Sequence, residues 1–121
     1  MKLLICGTRK AHSYRGLVYT KLSQIKSAIN KTDDLEIIEG CCPDSADKWA
    51  EEWAIAREIK IYHYPSTSGN YLKRNIEMIE QADMVIAFWD DFSYGTAHTI
   101  AHAAKKGILI NIVDISKRNE P

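Results

Sequence analysis

The hydrophobic positions of this chain follow two alternating periods. Short apolar runs of strand length, several rich in isoleucine and valine, occupy residues 2–6, 35–39, 60–64, 84–88 and 108–113. Between them, apolar residues recur three and four positions apart, as in amphipathic helices, over residues 18–29, 46–54, 72–79 and 97–104. The pattern therefore predicts five strands alternating with four helices.

Strict alternation of strands and helices predicts an α/β fold, because parallel strands need crossover connections that cover both faces of the sheet. We expect a doubly wound, Rossmann-like sheet of five parallel strands in the order 3-2-1-4-5. In that order the topological switch lies between strands one and four, where open α/β sheets bind ligands. A chain of 121 residues has room for one hydrophobic core, so we expect a single domain over residues 1–121.

Composition argues against two classes of partner. Sixteen basic and sixteen acidic side chains cancel, so we expect neither nucleic acid nor a membrane surface as a partner. No apolar segment approaches transmembrane length. The three cysteines form no zinc-binding spacing or disulfide framework, which favours a reducing cytoplasm.

Three small-residue turns are expected to meet at the switch point. Gly7-Thr8-Arg9 follows strand one, a turn from Gly40 to Asp44 follows strand two, and Ser93-Tyr94-Gly95-Thr96 follows strand four. Turns of this kind direct backbone N–H groups towards a ligand, which suits phosphate. Each glycine alone could serve only a tight strand-to-helix connection, so the indication comes from the convergence of all three.

Arg74 and Asn75 belong to the start of the third predicted helix, close to the same crevice. A solvated helix face is the simpler interpretation of this pair, since surface charges usually contribute little. The alternative is that the Arg74 guanidinium binds phosphate or carboxylate in bidentate fashion.

Tryptophans occur at two places with different predicted uses. Trp49 and Trp53 lie four residues apart on the second helix, which indicates core or a partner surface, and we expect them to form a homodimer interface. Trp89 ends strand four, where its ring could stack on a nucleobase or pack against the neighbouring helix.

Metal and nucleophile sites are weakly indicated. His98 and His102 lie four apart, but no Glu follows His98 as in the metalloprotease motif, so we predict neither a metal nor a cofactor. His98 is better interpreted as a ligand-facing donor or a packed side chain. Cys41 and Cys42 could include a nucleophile, although small buried residues are the simpler interpretation because no His or Asn partner can be assigned.

Taken in order, these motifs resemble the SLOG superfamily, in particular its small YpsA-like branch, which phages and prophages often carry. The resemblance spans nearly the whole chain. Its parts are Gly7-Thr8-Arg9, residues 39–50, residues 74–78, and residues 83–89 with the Ser93 to Thr96 turn. It implies a Rossmann-like domain that binds a nucleotide or a nucleotide-derived ligand such as an ADP-ribose derivative.

One departure from the superfamily bears on catalysis. Some members, the LOG enzymes, hydrolyse the N-glycosidic bond of nucleoside monophosphates, and Gly95-Thr96 matches their Gly-Gly-x-Gly-Thr-x-x-Glu element. Thr99 stands where the catalytic Glu would be, and threonine cannot stabilise oxocarbenium charge as a carboxylate does. The resemblance therefore implies a sensor or sequestering protein. The alternative is a phosphoribohydrolase that uses a replacement acid, with Asp47 and Arg74 as its candidate catalytic residues and Asp90 or Asp91 as other possible acids.

The expected binding mode follows from these assignments. Ligand phosphates would lie on the Ser93 to Thr96 turn and the Gly7-Thr8 turn, with Arg9 and Arg74 neutralising their charge. The sugar would face Asp47 and His98, and the base would stack near Trp89 or Tyr94. The full set of predicted ligand-binding residues is Gly7, Thr8, Arg9, Gly40, Asp44, Asp47, Arg74, Asn75, Trp89, Ser93, Tyr94, Gly95, Thr96 and His98.

Overall fold

Strands and helices alternate throughout the computed structural model, which describes residues 1–9, 13–29, 34–42, 45–66 and 71–116. In chain order the elements are β1 (Lys2–Gly7), α1 (Arg15–Ala28), β2 (Glu36–Glu39), α2 (Ala46–Ala56), β3 (Ile61–His63), α3 (Tyr71–Gln81), β4 (Met84–Trp89), α4 (Tyr94–Lys106) and β5 (Leu109–Asp114). All strand pairs are parallel, in the order β3-β2-β1-β4-β5. The predicted architecture and strand order are confirmed.

The side chains of β1 alternate between two hydrophobic cores, as expected for a central parallel strand. Leu3 and Ile5 pack on the face covered by α1 and α2, together with Phe88 of β4. Leu4 and Cys6 pack on the opposite face, which α3 and α4 cover. The central strands are therefore buried on both sides, and their carboxyl ends remain as the place for a site.

Two helix starts are set by serine side chains. Ser45 caps α2, where its Oγ accepts from the N–H of Asp47 at 3.2 Å. Ser93 caps α4 in the same way, with its Oγ 3.4 Å from the N–H of Thr96. Helix α4 therefore begins at Tyr94, three residues before the apolar periodicity of the sequence starts, and the Ser93 to Thr96 segment is its cap and first turn. No helix among the described residues is both long and apolar enough to cross a membrane.

The tryptophans of α2 belong to the core of the protomer. Trp49 packs edge-to-face on Tyr14, with ring centroids 4.5 Å apart, and Trp53 is fully buried and donates its indole N–H to Ser23 Oγ at 3.2 Å. The prediction that this pair forms a homodimer interface is wrong, because α1 and Tyr14 already cover the same helix face. Self-association stays a prediction without an assigned surface.

Gly7 at the end of β1 is required for packing. A Cβ there would lie 2.7 Å from the Tyr14 hydroxyl oxygen and 2.9 Å from Ala46 Cβ. We expect Gly7→Ala to lower the free energy of unfolding by about 1–3 kcal/mol through overpacking, as measured by urea denaturation. Gly16→Ala is the matched control, because a Cβ on that α1 residue meets no atom within 4 Å, and it should stabilise by about 0.5 kcal/mol. Similar losses at both positions would contradict this account.

Candidate functional site

A cavity of about 660 Å³ opens beyond the carboxyl ends of β1 and β4, at the topological switch of the sheet. Its size lies within the range typical of small-molecule sites. Nine predicted ligand-binding residues line it: Gly7, Thr8, Arg9, Asp47, Arg74, Asn75, Ser93, Gly95 and Thr96. The structure thus brings the turns after β1 and β4 together with the starts of α2 and α3.

Four other predicted residues do not line this cavity, and a fifth, Asp44, lies outside the described residues. Trp89 does not face the cavity; its indole N–H donates to the Ser93 carbonyl oxygen at 3.1 Å and so helps to fix the turn. Tyr94 is 67% exposed. His98 stacks on His102 with ring centroids 5.3 Å apart. Gly40 does not line the cavity, but its N–H and its carbonyl oxygen bond the lining side chains of Asp47 and Arg74.

The turns after β1 and β4 are joined by the carboxylate of Asp90. Its Oδ1 accepts from Thr8 Oγ1 at 3.2 Å and from the N–H groups of Phe92 and Ser93 at 2.9 and 3.0 Å. These bonds fix the loop that leads to Ser93 and so set the start of α4. From the sequence we considered Asp90 only as a replacement acid, whereas in the structure it lines the cavity and organises its rim.

Arg74 is held in place by backbone carbonyls and a neighbouring amide. Its Nη1 donates to the carbonyl oxygens of Gly40 at 2.6 Å and Tyr64 at 3.0 Å, and its Nε donates to Asn75 Oδ1 at 2.9 Å. A Cβ on Gly40 would lie 2.5 Å from Arg74 Nη1 and 3.0 Å from Asp47 Oδ2. A side chain at position 40 would therefore displace the Arg74 guanidinium and crowd the Asp47 carboxyl group.

Asp47 is a buried carboxyl group on the cavity wall. Its Oδ2 accepts from the N–H groups of Gly40 at 3.0 Å and Cys42 at 3.5 Å. Burial, followed by the negative charge of Glu39, raises the pKa of Asp47 from 3.8 to about 6, although these N–H groups and Arg74 oppose the rise. The cavity therefore contains a carboxyl group that changes charge close to neutral pH.

The cysteines after β2 do not have the environment of an activated nucleophile. Burial, and then the charge of Glu39, raises the pKa of the Cys41 thiol to about 12. Burial, and then the charge of Asp47, also raises the pKa of Cys42, which lines the cavity. Both thiols are therefore less easily ionised than free cysteine, which argues against a nucleophile. The interpretation of the pair as small buried residues is also wrong, because Cys41 is exposed and Cys42 is half-buried.

Thr99 lines the cavity and is almost fully buried. Its Oγ1 donates to the carbonyl oxygen of Gly95 at 3.1 Å, one turn earlier in α4. The position where the LOG pattern has its Glu is therefore part of the cavity wall, but its hydroxyl bonds its own helix.

Sequence reasoning left several lining residues out of the predicted set. Besides Asp90 and Thr99, they are Cys6, Cys42, Ser66, Met78 and Phe92. Phe92 is the most distinctive of them, because it lines the cavity while being 84% exposed. The available signal was a large aromatic residue inside an otherwise polar loop after a strand at the switch point.

Comparison with protein families gives a match over residues 1–68 to a model described as the YspA, cpYpsA-related SLOG family. The chain belongs to this SLOG family. The matched segment includes β1, β2 and α2, and therefore the turns at Gly7 and Gly40 and the carboxyl group of Asp47. No curated protein sequence gives a significant match to the chain.

The burial of Asp47 predicts a pH-dependent cost to stability. Because its pKa is higher in the folded chain, the protonated folded form is favoured at low pH, and that stability is lost as pH rises from 3.8 through about 6. Asp47→Asn removes the charge and keeps an oxygen acceptor for Gly40. The free energy of unfolding of the variant minus that of wild type should increase by about 2–3 kcal/mol between pH 4 and pH 7.5, as measured by urea titrations. A difference that stays constant with pH would contradict the assignment.

Proposed function

We propose that the cavity binds a nucleotide or a nucleotide-derived ligand, such as an ADP-ribose-type molecule, and that the protein acts as a sensor or a sequestering protein. The main support for this proposal is that the start of α4, Arg9 and Arg74 all line one cavity at the switch point. Membership of the SLOG family supports a nucleotide-type ligand. The size of the cavity suits a small molecule.

The phosphate end of the ligand is expected at the first turn of α4. Gly95 and Thr96 line the cavity there, and the first turn itself contains no acidic residue. The Asp90 carboxyl group precedes this turn and accepts hydrogen bonds from the N–H groups of Phe92 and Ser93. Arg74 is already ordered by its bonds to Gly40, Tyr64 and Asn75. Binding an anion therefore costs little additional side-chain entropy at this residue.

The sugar is expected on the side of Asp47. A carboxylate that lines a nucleotide cavity is suited to accept hydrogen bonds from ribose hydroxyls, as acidic residues do in dinucleotide-binding folds. Asp47 lies on the helix that follows β2, next to the turn that Gly40 starts. This arrangement would separate the sugar from the phosphates at the start of α4.

The base is expected on Phe92 rather than on Trp89 or Tyr94. The indole N–H of Trp89 is bonded to the Ser93 carbonyl, and Tyr94 does not line the cavity. Phe92 lines the cavity and exposes its ring, so it can stack on a base without first breaking a contact of the core.

A thermal-shift panel tests the function. At least one nucleotide or ADP-ribose derivative in the panel should raise the melting temperature of the protein, because a ligand that binds only the folded state stabilises it. The matching nucleoside without phosphate should not raise it. Arg74→Ala should weaken binding roughly 10- to 100-fold, because a charge-assisted hydrogen bond to phosphate is lost. Each variant is compared with its own ligand-free melting temperature, and isothermal titration calorimetry supplies the affinity.

Arg15→Ala is the matched control. It makes the same chemical change at an exposed residue whose ion pair with Glu52 lies 3.4 Å apart and which does not line the cavity. Its affinity for the ligand should equal that of wild type. No shift with any member of the panel would overturn the proposal, and so would equal losses from Arg15→Ala and Arg74→Ala.

The stacking role of Phe92 gives a second test. Phe92→Ala should weaken the nucleotide about tenfold through loss of base stacking. Its ligand-free melting temperature should stay within about 1 °C of wild type, since an exposed side chain contributes little to stability. Tyr94→Ala, which removes an exposed ring two residues away, should leave the affinity unchanged. The reverse pattern would assign the base to Tyr94.

One observation favours hydrolysis as the second candidate function. A carboxyl group with a pKa of about 6, on the cavity wall, has the protonation behaviour of a general acid. In a phosphoribohydrolase, Asp47 would protonate the leaving base as the N-glycosidic bond breaks, and Arg74 would hold the phosphate. Water would add to the anomeric carbon of the sugar and return its proton to Asp47. Chromatography of the incubated mixtures separates the two functions. Release of free base by wild type, but not by Asp47→Asn, would favour hydrolysis over simple binding as the function.

A further inference from the structure

A second group of polar side chains lies at the ends of β2 and β3, outside the lining of the cavity. Glu39 is the last residue of β2, His63 is the last residue of β3, and the two are register partners in the sheet. Cys41 follows two residues after Glu39. We propose that Glu39, Cys41 and His63 bind a divalent transition-metal ion, with Zn²⁺ as the best match to their donor atoms.

The positions of the donor atoms fit a common ion. One thiol sulfur, one ring nitrogen and one carboxylate oxygen all lie within 4.8 Å of one another. Cys41 Sγ is 3.4 Å from Glu39 Oε1 and 3.8 Å from His63 Nδ1. Tetrahedral zinc with ordinary bond lengths separates its ligand atoms by roughly 3.3–3.6 Å. Two of the three separations therefore need little adjustment, and the third, a short Glu39–His63 hydrogen bond, widens as the ion replaces the proton.

The contacts of His63 distinguish a metal site from a catalytic relay. In a nucleophile–base–acid relay, the histidine bonds its two partners through different ring nitrogens. Here Cys41 Sγ and Glu39 Oε1 both approach Nδ1. The three donor atoms therefore lie together on the Nδ1 side of the ring, as they would around a shared cation.

The backbone at Cys41 supports the same assignment. Cys41 has a φ of 64°, in the left-handed region that residues with a side chain rarely adopt. Its N–H donates to Glu39 Oε2 at 2.6 Å, which keeps the thiol beside the carboxylate. An ion pair between Glu39 and His63 alone would not require this conformation.

Charge around the cluster also favours a cation. Glu39 is fully buried, and a buried carboxylate needs a compensating positive charge, which either protonated His63 or a bound cation supplies. The carboxyl groups of Glu51 and Asp47 lie close enough to add to the negative potential at Cys41. On binding, the thiol proton would pass to the solvent, the sulfur, Nδ1 and carboxylate would each donate an electron pair, and water would complete the tetrahedron.

Cobalt(II) titration of tag-free protein tests the site, because Co²⁺ replaces Zn²⁺ and reports its ligands in the absorption spectrum. Wild type should bind one equivalent, with a thiolate-to-cobalt charge-transfer band and the d–d bands of a four-coordinate ion, and Zn²⁺ should abolish both. Cys41→Ser should remove the charge-transfer band, and His63→Ala should weaken binding at least tenfold. His63→Ala also removes a bonded partner of the buried Glu39 carboxyl group, so its melting temperature is measured before its affinity for Co²⁺ is compared with wild type.

Cys42→Ser is the matched control, since it removes the neighbouring thiol, which lies outside the cluster. It should keep the charge-transfer band at full intensity. Circular dichroism confirms that each variant is folded, and added Zn²⁺ should raise the melting temperature of wild type but not of Cys41→Ser. The proposal is overturned if wild type binds no stoichiometric Co²⁺ at micromolar concentration. A band that survives Cys41→Ser, or is lost in Cys42→Ser, also overturns it.

Discussion

The arrangement of the candidate site depends on the two peptide groups of Gly40. The N–H of Gly40 donates to Asp47 at the start of α2, and its carbonyl accepts from Arg74 on α3. The end of β2 is thereby bonded to the helices on both faces of the sheet. A Cβ at this position would displace the guanidinium and crowd the carboxyl group, so glycine leaves room for both contacts. The distance between the carboxyl group and the guanidinium, and so the shape of one cavity wall, follows from a residue that contributes no side chain.

Polar bonds of the same kind order the other walls. The Tyr14 hydroxyl donates to the Thr8 carbonyl and accepts from the N–H of Ala46, which joins the turn after β1 to the start of α2. Asp90 joins that same turn to the loop before α4. Buried polar groups are costly unless they are bonded, so these contacts hold the loops in a defined conformation. The cavity is therefore largely preorganised, which lowers the entropic cost of binding a ligand.

The sequence predicts the sheet well because its order follows from few rules. Alternating strands and helices, short connections and right-handed crossovers leave few topologies, and the switch point then identifies which turns meet. These rules do not predict whether an individual aromatic side chain packs in the core or lines the cavity. Helical spacing places Trp49 and Trp53 on one face, but only the packing of α1 and Tyr14 decides that this face is core. Likewise, the rules do not predict that the Trp89 indole bonds the Ser93 carbonyl while Phe92 lines the cavity.

The Glu39, Cys41 and His63 cluster shows why such a group escapes a motif search. His63 lies 24 residues beyond Glu39, and no fixed spacing connects them. They meet because β2 and β3 pair with Glu39 opposite His63. A shift of that register by one residue would move every side chain of β3 to the other face of the sheet, since side chains alternate along a strand. The register pairs Ile37 with Ile61 on one face of the sheet and Ile38 with Tyr62 on the other, so the hydrophobic residues of both strands position the polar cluster at their ends.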